Sequence, residues 1–379
     1  MVGLAFSTAA LIIVLSVFNG LEGLLRSFYT SFDPEIKIEL VKGKSFELTD
    51  ALLTKIKSLE GVSLVTDVIE DYVYVRHRDA DMVVTMKGVS DNFIDQHRLD
   101  SNIVDGEMTL RKNGVHYAVI GRGVQHALSV GVDENFFPLQ VFYIKNAKSS
   151  SLDPSQLYAQ SSIQPGGVFS IEKTYDENYM FVPLDFAKDL FNYGNKRTSL
   201  EIQTKAGSNT RDVQQEIKNA LGDSYRVLTN EEQHQAVYKL LKIEKLFTFL
   251  ALSILIVVAS INIFFSLMML ALDKKKDISI LSALGAHQSF IQKIFLNEGA
   301  LIAFLGAGIG LALGGTICWM QDAFGLVGMG MENAVVSSYP VKMKLTDFMF
   351  TAAVIVSVTA LVSFYPARVA SRIPVSQHL

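Results

Sequence analysis

Residues 246–272 read LFTFLALSILIVVASINIFFSLMMLAL, with no charged side chain, no glycine and no proline. A helix rises about 1.5 Å per residue and a hydrocarbon core is about 30 Å thick, so roughly 20 apolar residues span it. This run is long enough. It is also apolar on every side, which argues against a one-sided surface helix. Ala300 to Met320 and Phe348 to Tyr365 are similar. Buried helices of a large water-soluble core are the other reading, disfavoured by three such runs close together near the end of the chain. A fourth run, Val2 to Phe18, is barely long enough when counted from Met1. It reads as a first span or as a signal peptide, but the first positive charge, Arg26, follows it rather than precedes it. The expectation is a chain that lacks its cytoplasmic N-terminal flank.

The composition agrees. Of 379 residues 19% are charged, against about 25% in an ordinary soluble domain. A net charge of −4 argues against a nucleic-acid surface, which needs a clustered basic face. A single cysteine rules out an intrachain disulfide and a multi-cysteine metal site. Basic residues near span ends set orientation. Lys274, Lys275, Lys276 and Lys293 follow the second span, and Arg368 and Arg372 follow the fourth. Segment 273–293 and the tail are therefore placed in the cytoplasm, and 26–240 on the far side. The fold class is an α-helical membrane protein with four transmembrane helices plus a large α/β extracytoplasmic domain inserted between the first and second. Its parts are 1–25, 26–240 and 241–379.

Within 26–240, Ile36, Ile38 and Leu40 alternate with Lys37 and Glu39, a half-buried strand. Thr49 caps a helix with apolar positions Leu52, Leu53, Ile56 and Leu59, and Gly61 terminates it. Strands are expected at 62–68, 72–76 and 82–88. A second strand–helix–strand unit runs from Ser199 to Thr204, through Val213, Ile217 and Leu221 to Gly222, then Tyr225 to Leu228. Two such units suggest a split, ferredoxin-like core around a β-rich insert at about 89–195. The polar stretch Asn146 to Gln164 is a long loop, functional or disordered. Its Leu157 and Tyr158 are either a docking point for a partner or the anchor that pins the loop down. From Glu231 an amphipathic stretch enters the second span without a break, which would couple the domain to the membrane.

No catalytic constellation is assembled. Gly43-Lys44-Ser45 resembles the end of a phosphate loop, but Ile38 stands where its first glycine is needed. Gly121 and Gly123 begin a dinucleotide pattern that His126 ends. His116 and His126 read as surface or strand residues, and Cys318 as a small packing residue. No metal site and no cofactor is expected, and ATP hydrolysis is assigned to another chain. Gly306, Gly310 and Gly314 recur every four residues, a packing seam or ordinary glycine enrichment of a membrane helix. Asn262, an amide within the second span, is expected to face protein.

The most informative stretch is DKKKDISILSALGAHQSFIQKIFLNEGA, residues 273–300. Ile278, Leu281 and Leu284 share a helical face, Gly285 stops the helix and Ser289 caps the next one. It reads either as a short helix for a cytoplasmic partner to grip or as a solvated loop. This run resembles the signature of FtsX/MacB-type ABC transporter permeases at Lys274, Asp277, Ile278, Leu281, Leu284, Gly285, Ala286, Ile291, Phe295, Glu298 and Gly299. Tyr365-Pro366-Ala367-Arg368-Val369-Ala370, with Pro374-Val375, is similar to the family's closing motif. Val14-Leu15-Ser16-Val17-Phe18-Asn19-Gly20 and Lys242-Ile243-Glu244-Lys245 resemble the lipoprotein-releasing (Lol) permeases, as do Gly167 to Ile171 and Phe181 to Leu184.

The resemblance implies a permease subunit in the bacterial inner membrane, paired with itself or with a second permease. It implies a cytoplasmic ABC ATPase subunit gripping the coupling segment. It further implies an external domain that passes a lipoprotein substrate to a periplasmic carrier. Loop 146–164 occupies roughly the place of the Lol carrier-binding hook, although its residues do not match it. Moving about three chains of roughly 16 carbons into water would cost about 35–40 kcal/mol at about 0.8 kcal/mol per CH₂. That exceeds the ceiling of roughly 18–21 kcal/mol for non-covalent affinity, so the chains must pass between apolar sites. Val14, Val17, Phe18 and Leu21, facing Leu246, Leu250 and Ile254, are expected to line an apolar lipoprotein gate, the alternative being ordinary lipid-facing residues. A rival function is ATP-driven transmission across the membrane to an efflux duct or a cell-wall hydrolase.

Overall fold

The computed structural model describes residues 1–132, 137–145, 157–329 and 338–372. Two compact units emerge, Met1–Leu25 with Ala236–Leu379, and Arg26–Gln235.

The first unit is helical. Val2–Phe32, Gln235–Asp273, Gln288–Phe324 and Leu345–Ala370 are each long and apolar enough to cross a membrane. The glycine stripe proves to be an intrachain seam. A side chain at Gly310 would come within 2.5 Å of the Ala5 carbonyl oxygen and 2.6 Å of Thr8 Cβ. A side chain at Gly306 would come within 3.2 Å of Leu4, and one at Gly314 within 3.1 Å of Ala9 and Ile12. Leu4, Leu11 and Leu15 then pack with Ile256, Ile263, Leu267, Ala303 and Ile355 in one core.

The second unit is built on a mixed sheet in which Tyr225–Thr229, Ile36–Leu40, Ser199–Thr204 and Val62–His77 lie side by side, all antiparallel. Thr49 caps Asp50–Lys57 by accepting from the Leu52 amide, and Asn209 caps Thr210–Leu221 in the same manner from Arg211. Ser58 rather than Gly61 ends the first of these helices. Gly61 instead lies against Val213, where a side chain would clash. Ile36, Ile38, Ile56, Leu200, Ile202, Val213 and Ile217 form the core of this part.

The sheet continues into a closed ring. Val62–His77 pairs with Ala80–Val89, which pairs with Tyr179–Pro183, then Val115–Gly121, Tyr158–Phe169 and Leu139–Ile144, which returns to Val62–His77. Closure leaves these six strands without a free edge. Their interior is filled by Ile69, Val73, Val84, Met86, Ile120, Leu139, Val141 and Ile163. Sequence reading split 62–68 from 72–76 at the polar pair Glu70-Asp71. The strand is in fact continuous over Val62–His77. Asp71 is buried without a turn because Lys44 donates to it at 2.5 Å and the Tyr143 hydroxyl at 3.1 Å. The ring therefore begins earlier in the chain than position 89.

Candidate coupling segment, gate and polar clusters

Helix Lys275–Ala283 follows the second long helix, and Gly285 at φ 95° provides the left-handed turn that only glycine adopts freely. The next helix begins at Gln288 with His287 as its N-cap, so Ser289 sits inside the first turn rather than capping it. Ile278 is buried among Ala271, Ile291, Phe295, Ala367 and Ala370. Leu281 and Leu284 point out, with 38% and 80% of their surface exposed. The three residues therefore divide the work: Ile278 anchors the segment and the two leucines are presented. Lys274 and Asp277 form an exposed ion pair at 3.0 Å, Gly285 is exposed and Ala286 is half-buried.

The packing also explains why two distant stretches carry one signature. Ala367 and Ala370 are fully buried against Ile278 and Phe295, and Pro366 is buried inside its helix. Gly299 lies against Ser363, leaving no room for a side chain between the last two long helices.

A polar cluster that sequence reading missed ties three of the long helices together. Asn19 donates to an Asp347 carboxylate oxygen at 2.6 Å and to the Lys342 carbonyl at 3.1 Å. Lys245 donates to the Asn19 side-chain oxygen at 2.7 Å and lies 3.5 Å from Asp347. Asn19 and Asp347 are buried. Ionisable groups among apolar helices are costly unless paired, and here they are paired. Asn19 and Lys245 belong to the two Lol-like motifs, which was the available signal. Their partner at 347 carries no local mark.

The gate residues are not brought together within one chain. Val14, Val17, Phe18 and Leu21 are half-buried, while Leu246, Leu250 and Ile254 are exposed on a face that the first helix does not cover. Asn262 is likewise exposed, contrary to expectation, because Ile256, Ser260, Ile263 and Leu267 occupy the buried face of its helix.

In the sheet unit, Leu157 and Tyr158 are both about two-fifths exposed. Tyr158 pairs with Ile144 in the ladder and its ring lies 5.9 Å from Phe142, which in turn lies 5.9 Å from Tyr74. Exposed Tyr72 and Ile144 complete an apolar patch. Residues 146–156 of the polar loop lie outside the described residues.

The interior of this unit holds an ion network. Lys87, 2.6 Å from Glu201, and Arg98, which also donates to Glu201, surround a fully buried carboxylate. Burial alone would raise the Glu201 carboxyl, but Lys87 and Arg98 hold it below its usual range. Asp33 accepts from His234 at 2.8 Å and from the Tyr175 hydroxyl at 2.7 Å, and these bonds together with Lys87 outweigh its burial and depress it too. Gly121 and Gly123 serve packing against Asp176 and Glu177 rather than a nucleotide. His116 bonds Asp185 at 3.1 Å and His126 is exposed. No group of three metal-ligating side chains occurs among the described residues.

Residues 1–220 match the MacB-like periplasmic core domain and residues 249–375 the FtsX-like permease C-terminal domain. With the first match alone covering more than half of it, the chain belongs to the FtsX/MacB-type family of ABC transporter permeases, multi-pass membrane proteins with a periplasmic α/β domain. The lipoprotein-releasing system transmembrane protein LolE of Haemophilus influenzae is 23% identical over 398 residues, covering 100% of this chain and 92% of that one. An uncharacterized ABC transporter permease of Methanocaldococcus jannaschii is 28% identical over 234 residues, 60% of this chain and 55% of that relative, so the match spans little more than half of it. Among solved structures, the periplasmic region of MacB from Actinobacillus actinomycetemcomitans aligns with a TM-score of 0.37 at 10% identity, covering 55% of this chain and 94% of that one.

Proposed function

We propose that this chain is the permease subunit of an inner-membrane ABC complex that extracts lipoproteins and hands them to a periplasmic carrier, driven by a separate ATPase. In this reading the α/β domain is inserted between the first and second spans and lies in the periplasm. The observation that carries it is the coupling segment, a short helix anchored by Ile278 that presents Leu281 and Leu284. Exposed leucines on a cytoplasmic helix are costly in water and suit burial in a motor subunit. The likeness to LolE along the whole chain supports lipoprotein as the cargo. The apolar patch of Tyr72, Ile144, Leu157 and Tyr158 is the proposed carrier contact. Leu246, Leu250 and Ile254, open on the second span, are proposed to meet the first-span gate residues across a subunit boundary.

Reconstitution tests the assignment. The chain, its co-purifying ATPase and a triacylated lipoprotein are placed in liposomes with ATP and a soluble acyl-chain-binding carrier. Transfer of the lipoprotein to the soluble fraction is the expected result. ATP turnover without transfer, together with co-purification of a hydrolase or an outer-membrane duct, refutes the cargo and favours transmission.

A further inference from the structure

The last two long helices, Gln288–Phe324 and Leu345–Ala370, leave a groove of about 800 Å³ along one side of their contact. That is the size of a ligand pocket. Small residues line it, Ala303 and Ala307 from one helix and Ala352 and Ala360 from the other. Leu301, Phe304 and Val356 flank it, all exposed. Small residues between membrane helices are ordinary packing and do not by themselves make a site.

The hydroxyls along the groove are more telling. Serines and threonines inside these helices usually donate to the carbonyl four residues back, as Ser260 does to Ile256 at 2.8 Å and Thr316 to Ala312 at 2.7 Å. Thr359 and Ser363 line the groove, are 4% and 1% exposed, and do not. Both hydroxyls are buried without a hydrogen-bond partner among the described residues. Ser363 Oγ sits in the gap that Gly299 leaves. A buried hydroxyl without an acceptor is costly, so each calls for one from outside the chain.

The groove is also ordered along its length. Lys293, Asn297 and Ala300 share one face at successive turns of their helix. Lys293 and Asn297 are exposed, and Lys293 makes no ion pair among the described residues. The lining then runs from Ala300 to Leu311 on one helix and from Ser363 back to Ala352 on the other. Each stretch rises about 16 Å, and half of a hydrocarbon core of about 30 Å is about 15 Å. A cation comes first, then an amide and hydroxyls, then an apolar channel one leaflet deep. Phosphate, ester and acyl chain follow one another in the same order in a glycerophospholipid.

We propose that this groove binds one phospholipid of the cytoplasmic leaflet. Its phosphate meets Lys293, its ester carbonyls accept from Asn297, Ser363 and Thr359, and one acyl chain lies between the two helices. The inference rests on the orientation in the permease reading and not on the cargo, which in that reading leaves from the opposite leaflet.

Photolabelling tests it. The full-length chain is placed in nanodiscs containing a phosphatidylglycerol with a diazirine in one acyl chain, and labelled peptides are identified by mass spectrometry. Label concentrated on 300–311 and 352–363 is expected. Gly308→Leu with Ala360→Leu fills the channel and should lower that label about five-fold, whereas Ser357→Leu on the opposite face should leave it unchanged. Lys293→Gln, an exposed change that leaves the packing alone, should lower it roughly five-fold. With a diazirine diacylglycerol, which lacks the phosphate, Lys293→Gln should have no effect. Label spread evenly over the exposed helix faces, or unmoved by filling the channel, overturns the site. An equal effect of Lys293→Gln on both probes overturns the phospholipid assignment. Displacement of the label by excess unlabelled triacylated lipoprotein also overturns it and makes the groove part of the cargo path. Separately, an impermeant maleimide that reaches Lys293→Cys, in a Cys318→Ser chain, from outside intact cells removes the permease orientation whether or not the groove is labelled.

Discussion

Leu284→Ala offers a quantitative test of the coupling segment. The substitution removes three carbons, worth about 2.4 kcal/mol at about 0.8 kcal/mol each if a partner buries them completely. Four-fifths of the Leu284 surface is open to such a partner, against about two-fifths of Leu281. Truncating Leu284 should therefore weaken ATPase docking by about 2 kcal/mol, or roughly 30-fold in Kd. Truncating Leu281 should cost about 1 kcal/mol, or roughly five-fold. Leu284→Ala opens no cavity in the chain itself and should keep the parent's melting temperature. Leu281→Ala, with about three-fifths of that side chain covered by its own chain, should lower it slightly. Ile278→Ala behaves differently, because it empties a buried site and should cost about 2–5 kcal/mol of stability. The assay is biolayer interferometry of the ATPase against the permease in lipid nanodiscs, with thermal melts alongside. Parent-like affinity for Leu284→Ala, or a larger loss at Leu281 than at Leu284, would refute the argument.

Three further substitutions probe the scaffold. Glu201→Gln leaves Lys87 buried without its nearest counter-charge and should destabilise the α/β unit by about 3–5 kcal/mol, read from thermal melts of the full chain in detergent. Because the Glu201 carboxyl is depressed in the folded state, its contribution is present above the usual carboxylate value of about 4.3 and is lost as pH falls through the lower folded value. The parent should thus lose melting temperature in that acid range more steeply than Glu201→Gln, and parallel profiles would contradict the network. Gly310→Val should overpack the seam against Ala5 and Thr8 by about 1–3 kcal/mol, while Gly308→Ala, with open space around it, should be neutral; equal melts would remove the seam. Asp347→Asn should cost about 1–3 kcal/mol by leaving Lys245 without a counter-charge, and a Lys245→Met/Asp347→Leu double variant should recover part of that loss.

Legibility followed the range of the interactions involved. The long helices were visible because apolarity over some twenty consecutive residues is a local property. The cap at Thr49 and the turn at Gly285 also rest on neighbours a few positions away. The continuity of strand Val62–His77 across 69–71 escapes a local reading, because the groups that let Asp71 be buried there, Lys44 and Tyr143, are far off in sequence. Lys87 and Glu201 carry no local mark of burial for a related reason. Each alternates with apolar residues and so reads as facing water, but both faces of the sheet are covered there and the two charges meet inside. At the coupling segment, spacing grouped Ile278, Leu281 and Leu284, and only the packed helices separate the anchor from the two presented leucines. The cluster of Asn19, Lys245 and Asp347 depends on three helices meeting, which no local pattern records.

The strand Ile36–Leu40 lies between Ser199–Thr204 and Tyr225–Thr229, with Ile36 opposite both Ile202 and Thr229. One of the earliest strands to leave the ribosome therefore waits for Ser199–Thr204 to cover one edge and for Tyr225–Thr229 to cover the other. Sequence-distant pairing of this sort is slow to form. The first long helix must consequently be handled by the insertion machinery while the head behind it is still unfinished, and a chain stalled before Thr229 would display a bare edge from Ile36 to Leu40 to every neighbouring nascent chain.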